Sequence, residues 1–177
     1  MSPAVVLIGV GNELRHDDAA GLEVVRRLRS SGGLGARLEA TSGDGVELLD
    51  LWQEAWAVVL VDAVRSGARA GTIHRFDASV TPLSASLGRT SSHALGVADA
   101  IELARELGRL PRRVIVYGIE GARFQAGSGL TKRVASALEP LARMVRAEVL
   151  LLAAESVAED SAAPSSASSK APRPPRP

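Results

Sequence analysis

Cysteine is absent from this 177-residue chain, which excludes disulfides, thiolate metal sites and a cysteine nucleophile. A cysteine-free protein suits a reducing compartment, so the cytoplasm is the expected location. Aromatic residues make up only 3% of the sequence, too few to build a stacking platform for nucleotide bases. Charge of one sign is also lacking: the formal net charge is +1, so no basic field invites nucleic acid. Apolar runs such as residues 149–154 are far too short to cross a bilayer. The amino terminus carries neither a basic segment nor a cleavage site. Neither a nucleic acid nor a membrane is therefore an expected partner.

Apolar residues account for 46% of the chain, enough for one compact body without a covalent staple. Short β-branched runs at residues 5–8, 37–41, 57–61 and 113–117 read as strands, and residues 71–76 alternate like an edge strand. Between them, residues 20–29, 46–56 and 93–107 carry apolar positions at helical spacing. Asp44 stands where the second of these helices needs an N-cap, and Thr131 caps a last helical stretch. Pro140 either starts a new helix or kinks that one, and the pattern runs to about residue 154. Strands alternating with helices imply a largely parallel sheet covered on both faces. Five of the nine prolines fall after residue 154, in a stretch of Ser, Ala and charge. The expected division is an α/β body over residues 1–154 and a disordered tail over residues 155–177.

The densest information lies at residues 5–18, which read V-V-L-I-G-V-G-N-E-L-R-H-D-D. A buried strand, a glycine turn and a helix entry in that order resemble a dinucleotide-binding turn. That turn, however, needs a third glycine where Leu14 stands, and a helix N-terminus left open for phosphate. Here the helix entry holds Asp17 and Asp18, which suit the helix dipole but repel a pyrophosphate. A cation fits better. Ligands of open α/β sheets collect at the carboxyl ends of strands. Asp62 ends the run V-V-L-V there, and His93 opens a helix whose N-terminus favours the neutral, ligating imidazole. Asp18, Asp62 and His93 together make a partial coordination sphere with vacant positions.

Competing assignments stay open at this level. Asp17 is equally a helix cap, and His16 is a rival ligand. His74, inside the alternating strand, reads as structural. A serine hydrolase built on Ser91 or Ser92 with His93 and Asp62 is disfavoured, because no G-x-S-x-G elbow exists. A zincin is disfavoured for want of H-E-x-x-H.

The ordered set made by the first glycine motif, L-V-D-A around Asp62, S-S-H at His93, Y-G-I-E ending at Glu120, and G-S-G-L-T-K-R-V resembles the nickel–iron hydrogenase maturation endopeptidases over residues 5–150. That resemblance implies a three-layer α/β sandwich, with a twisted, mostly parallel five-stranded sheet and an antiparallel edge strand. It also implies a peptidase that removes the carboxyl-terminal extension of a nickel–iron hydrogenase large-subunit precursor once nickel is in place. The family's metal-contacting and catalytic positions fall on Asp18, Asp62 and His93, and the nickel arrives with the precursor. A monomer is expected. The chain departs from the family at His16 and Ala19, where glycine is common, and His16 is thereby a candidate fourth ligand. Asn12 and the backbone amides of residues 9–11 are candidate oxyanion donors. The 127–129 loop is glycine-rich, hence expected to be mobile, and a candidate to hold the precursor's tail. Two other classes are weighed against this one: a small-molecule enzyme on the same sheet, and a metal-dependent binding module that never cuts.

Overall fold

The computed structural model describes residues 4–83 and 96–162. Five strands form one sheet: β1 (Val5–Val10), β2 (Arg37–Thr41), β3 (Ala57–Val64), β4 (Ile73–Asp77) and β5 (Arg113–Glu120). Their order is β2-β1-β3-β5-β4, parallel throughout except for β4, which runs antiparallel along one edge. Every residue of β1 and β3 is buried, which is why both read as continuous apolar runs rather than alternating ones.

The period of two sorts the strand residues between two cores. Val5, Leu7, Val59, Val61, Ile115 and Tyr117 pack with helices α1 (Ala20–Ser31) and α4 (Lys132–Ala162). Val6, Ile8, Val58, Leu60, Val114 and Val116 pack with α2 (Gly45–Trp52) and α3 (Val97–Glu106). The result is the expected three-layer sandwich with its antiparallel edge strand.

Helix α1 lies unusually close to the sheet, and two glycines make that possible. A Cβ on Gly21 would sit 2.2 Å from the carbonyl oxygen of Val61, and one on Gly9 would sit 2.4 Å from that of Gly21. Neither position tolerates a side chain. The close approach brings the short 3-10 turn His16–Ala19, which precedes α1, down onto the carboxyl ends of β1 and β3.

Several boundaries differ from the sequence reading. β3 and β5 run three residues further than expected, to Val64 and Glu120. Asp62 therefore lies inside a strand, opposite Gly118, rather than at its end. Helix α2 stops at Trp52, leaving Trp56 to lead into β3. Asp44 does cap α2, its carboxylate accepting the amides of Val46 (3.0 Å) and Glu47 (3.2 Å). α3 begins at Val97, with Gly96 extended at its N-cap, so it starts later than the expected His93; Ser91, Ser92 and His93 themselves lie outside the described residues.

The boundary at residue 155 is corrected. α4 passes unbroken through Pro140 and continues to Ala162. Tertiary contacts hold the extra turns: Ser156 is buried, Glu155 pairs with Arg113 at 2.9 Å, and Glu159 accepts from Trp56 and Arg112 at 2.8 and 2.6 Å. Composition alone missed this because Ser and Ala sustain a helix wherever packing supports one.

Candidate active site

Two carboxylates lie buried at the carboxyl end of the central strands. Asp18 is fully buried and Asp62 is 3% exposed. The Asp62 carboxyl is pushed up to about 8, by burial first and then by the charge of Asp18 nearby, against the opposing effect of the Ala63 amide. Its Oδ1 has no hydrogen-bond partner among the described residues. Two like charges brought together out of water are costly unless a cation sits with them. Oxygen donors of this kind fit a divalent ion. Among the described residues no cluster of three or more ligating side chains is present; the third expected member, His93, falls outside them. Asp18 and Asp62, the two members inside them, do meet.

Asp17 is neither a cap nor a ligand. It is fully buried, and its carboxylate accepts the amides of Ala122 (2.8 Å), Arg123 (3.0 Å) and Thr131 (2.7 Å) and the hydroxyl of Thr131 (3.0 Å). Four donors to one carboxylate bind the β1 loop to the loop after β5. Thr131 stands at the N-cap position of α4, its carbonyl accepting the amide of Ala135, yet its hydroxyl is spent on Asp17.

His16 belongs to the same seam. Its backbone φ is +49°, in the left-handed region, which is the physical reason a glycine suits that position. Its Nδ1 lies 3.0 Å from the carbonyl oxygen of Gly129, and its ring fills the space that a Cβ on Gly127 would need. The backbone adds His16 N–H to Gly127 O (3.0 Å) and Gly127 N–H to Leu14 O (2.9 Å). The imidazole thus holds the 127–129 loop and is not disposed as a fourth ligand. The same bonds tie down a loop that glycine content alone marks as mobile.

Of the expected oxyanion donors, backbone amides of residues 9–11 are engaged within the fold, while the Asn12 side chain is engaged through its oxygen and not through its N–H groups. The amide of Gly11 donates to Thr41 O (3.0 Å), and Gly9 sits within the β1 ladder. The Asn12 carboxamide oxygen accepts the amide of Leu14 (2.9 Å), closing a local turn.

Glu120, buried at the end of β5, accepts Ser66 N–H (2.8 Å), Gly67 N–H (2.9 Å) and Ser66 O–H (2.7 Å), so it fixes the chain leaving β3. His74 stands 3.5 Å from Glu120 and stacks on Phe76, as a structural residue of the edge strand. Sequence reasoning missed a further buried network, in which Glu148 receives a bidentate pair from Arg75 (2.7 and 2.8 Å) and the Tyr117 hydroxyl (2.9 Å). Arg75 holds Glu148 below the usual carboxylate range, while burial first and then Glu148 push Tyr117 up to about 12. Its only trace in the sequence is a charged residue on the inward face of α4.

An α/β sandwich with a buried carboxylate pair at the carboxyl edge of its parallel strands belongs to the α/β proteins whose site lies at that edge. Comparison narrows that class. The family model described as hydrogenase maturation protease matches residues 42–148. Hydrogenase expression/formation protein HupM of Azotobacter chroococcum is 30% identical over 142 residues, covering 78% of this chain and 68% of that protein. Hydrogenase 2 maturation protease of Escherichia coli is 29% identical over 146 residues, covering 81% and 88% of the two chains. Among solved structures, the hydrogenase maturating endopeptidase HybD from E. coli superposes with a TM-score of 0.69 at 26% identity, over 82% of this chain and 90% of that one. The chain belongs to the hydrogenase maturation protease family and is a peptidase. The matched segment contains Asp62 and His93, and the described structure supplies Asp18 beside Asp62.

Proposed function

We propose that this chain removes the carboxyl-terminal extension of a nickel–iron hydrogenase large-subunit precursor after nickel insertion, with Asp18, Asp62 and His93 engaging the nickel that the precursor carries. The observation that supports this most directly is the buried Asp18–Asp62 pair, whose mutual repulsion and desolvation are relieved by a proton on Asp62 or by positive charge that displaces it.

Nickel enters here as part of the substrate, and it supplies positive charge and Lewis acidity at the peptide bond to be cut. Without it, Asp62 keeps its proton at neutral pH. Docking of the loaded precursor releases that proton, and Asp18 and Asp62 fix the orientation of the cleavage segment. A nickel-free precursor offers no compensating charge, so it binds less well, and the difference in affinity acts as a checkpoint on cofactor insertion. His93 contributes the one nitrogen donor of the set.

No helix among the described residues is long and apolar enough to cross a membrane. The absence of cysteine fits a reducing compartment, and we place the reaction in the cytoplasm and assign it to a single copy of the chain. The test is to mix the purified protein with nickel-loaded and nickel-free precursor and weigh the products. Shortening of the loaded form alone is the expected result. Cleavage of both, or of neither, overturns the reading.

A further inference from the structure

Cationic side chains are paired over most of this molecule. Arg26, Arg27, Arg75, Arg105, Arg112, Arg113 and Arg143 all stand within 4 Å of a carboxylate. Arg65 lies 4.7 Å over the Phe124 ring. Arg69, Arg123, Lys132 and Arg133 are exposed and have no ion pair or side-chain hydrogen bond to another described residue. Arg109, before β5 at the far edge of the sheet, is the fifth such residue. Four unpaired cations therefore gather at one edge of a chain whose formal net charge is only +1.

Three of the four line a single cleft of about 460 Å³, formed by Arg69 and Thr72 on one wall and Lys132, Arg133 and Ser136 on the other. Both walls are tied to the residues that brace the carboxyl edge of the sheet. On one side, Gly71 N–H donates to Glu120 O at 2.7 Å, and Glu120 N–H donates to Thr72 O at 2.8 Å. On the other, Lys132 follows Thr131, which donates twice to Asp17. The walls also meet directly, since a Cβ on Gly71 would lie 2.8 Å from Arg133 O. A cleft of unpaired cations at the carboxyl edge of the sheet, the edge that also holds the Asp18–Asp62 pair, is complementary to the carboxylates of a ligand whose cationic end lies at that pair.

We infer that this cleft is a subsite for the carboxylates of the peptide extension, whether its terminal carboxylate or acidic side chains. The inference rests on the proposed peptidase reading and deepens it. The cleft holds the extension by charge while Asp18 and Asp62 hold the metal end.

The test uses the isotope-labelled full chain and a synthetic ten-residue Gly-Ser peptide ending in Asp-Glu, followed by NMR. A second arm uses the same peptide as its carboxamide, and a third has Asn-Gln in place of Asp-Glu. Saturable shifts confined to residues 69–72 and 132–137 are expected, weakening about tenfold in Arg69→Gln/Lys132→Gln/Arg133→Gln and with added salt. The arm that loses binding tells the terminal carboxylate from the side chains. Shifts elsewhere, none at all, or shifts unchanged in the triple variant overturn the inference. With nickel-loaded precursor the same variant should raise KM several-fold at unchanged kcat. An unchanged KM in an active enzyme defeats the subsite alone, whereas no cleavage by the parent protein defeats the peptidase reading and leaves the peptide titration to judge the cleft.

Discussion

Asp17 and Asp18 are neighbours in the chain, both fully buried, and they do opposite work. Asp17 has four donors and braces two loops; Asp18 raises the carboxyl of Asp62. Replacing Asp17 by alanine strands three amides and a hydroxyl that now share one carboxylate. We expect a loss of about 3–5 kcal/mol, read as a fall in Tm of roughly 10 °C. A change of only a degree or two would mean that the seam between the loops is not held by this residue. Asp62 carries a different signature. Its carboxyl is raised from the ordinary 3.8 to about 8, so between those pH values the native state holds a proton that the unfolded chain has released. The stability contributed by this group is complete below the lower value, declines as pH rises, and is gone above the upper one. Asp62→Asn has no proton to lose. Its Tm should match the parent near pH 4 and exceed it at pH 9 without metal, a gap that thermal melts across that range would reveal. Asp18 and Asp62 were legible in the sequence because each sits beside a buried apolar run at a strand end. The role of Asp17 was not, since its partners lie more than a hundred residues away.

At the level of elements, period and turn chemistry were enough to find all five strands and to place the four described helices. They failed where tertiary contact decides. Nothing local distinguishes a strand that stops at residue 61 from one that reaches Val64, because the extension is fixed by pairing with Gly118 to Glu120 of β5. Likewise the last turns of α4 depend on Arg112, Arg113 and Trp56. Ending the chain after Ala154 removes contacts that are partly exposed, so the cost should be modest, about 1 kcal/mol and 2–4 °C in Tm. The packing of α1 is less forgiving. A methyl on Gly21 would lie 2.2 Å from Val61 O and 2.4 Å from Val10 O, so Gly21→Ala must lift the helix or bend the strands. Because α1 follows directly on the turn that carries Asp18, this variant should lose stability and precursor cleavage together. A Gly21→Ala protein with full activity would show that the helix can shift without moving the carboxylate.

For the whole molecule, charge and fold are arranged along one edge. Parallel strands deliver Asp62 there, the glycine-cushioned α1 brings Asp18, and the seam around Asp17 and His16 locks the loop after β5 beside them. The sequence made that edge legible through the spacing of its motifs. It could not show which donors were already spent, and so it offered His16 and the Gly11 amide as working groups when both hold the scaffold. His93 separates scaffold from function most cleanly. If its work is to engage the precursor, His93→Ala should melt within about a degree of the parent. Its loss takes the only nitrogen donor from a set of two carboxylates, leaving the loaded precursor with no imidazole to engage. Cleavage followed by mass should then stop while the fold persists. If loaded precursor is still shortened at the parental rate, Asp18 and Asp62 carry the metal contact alone and the donor set at this edge is all oxygen.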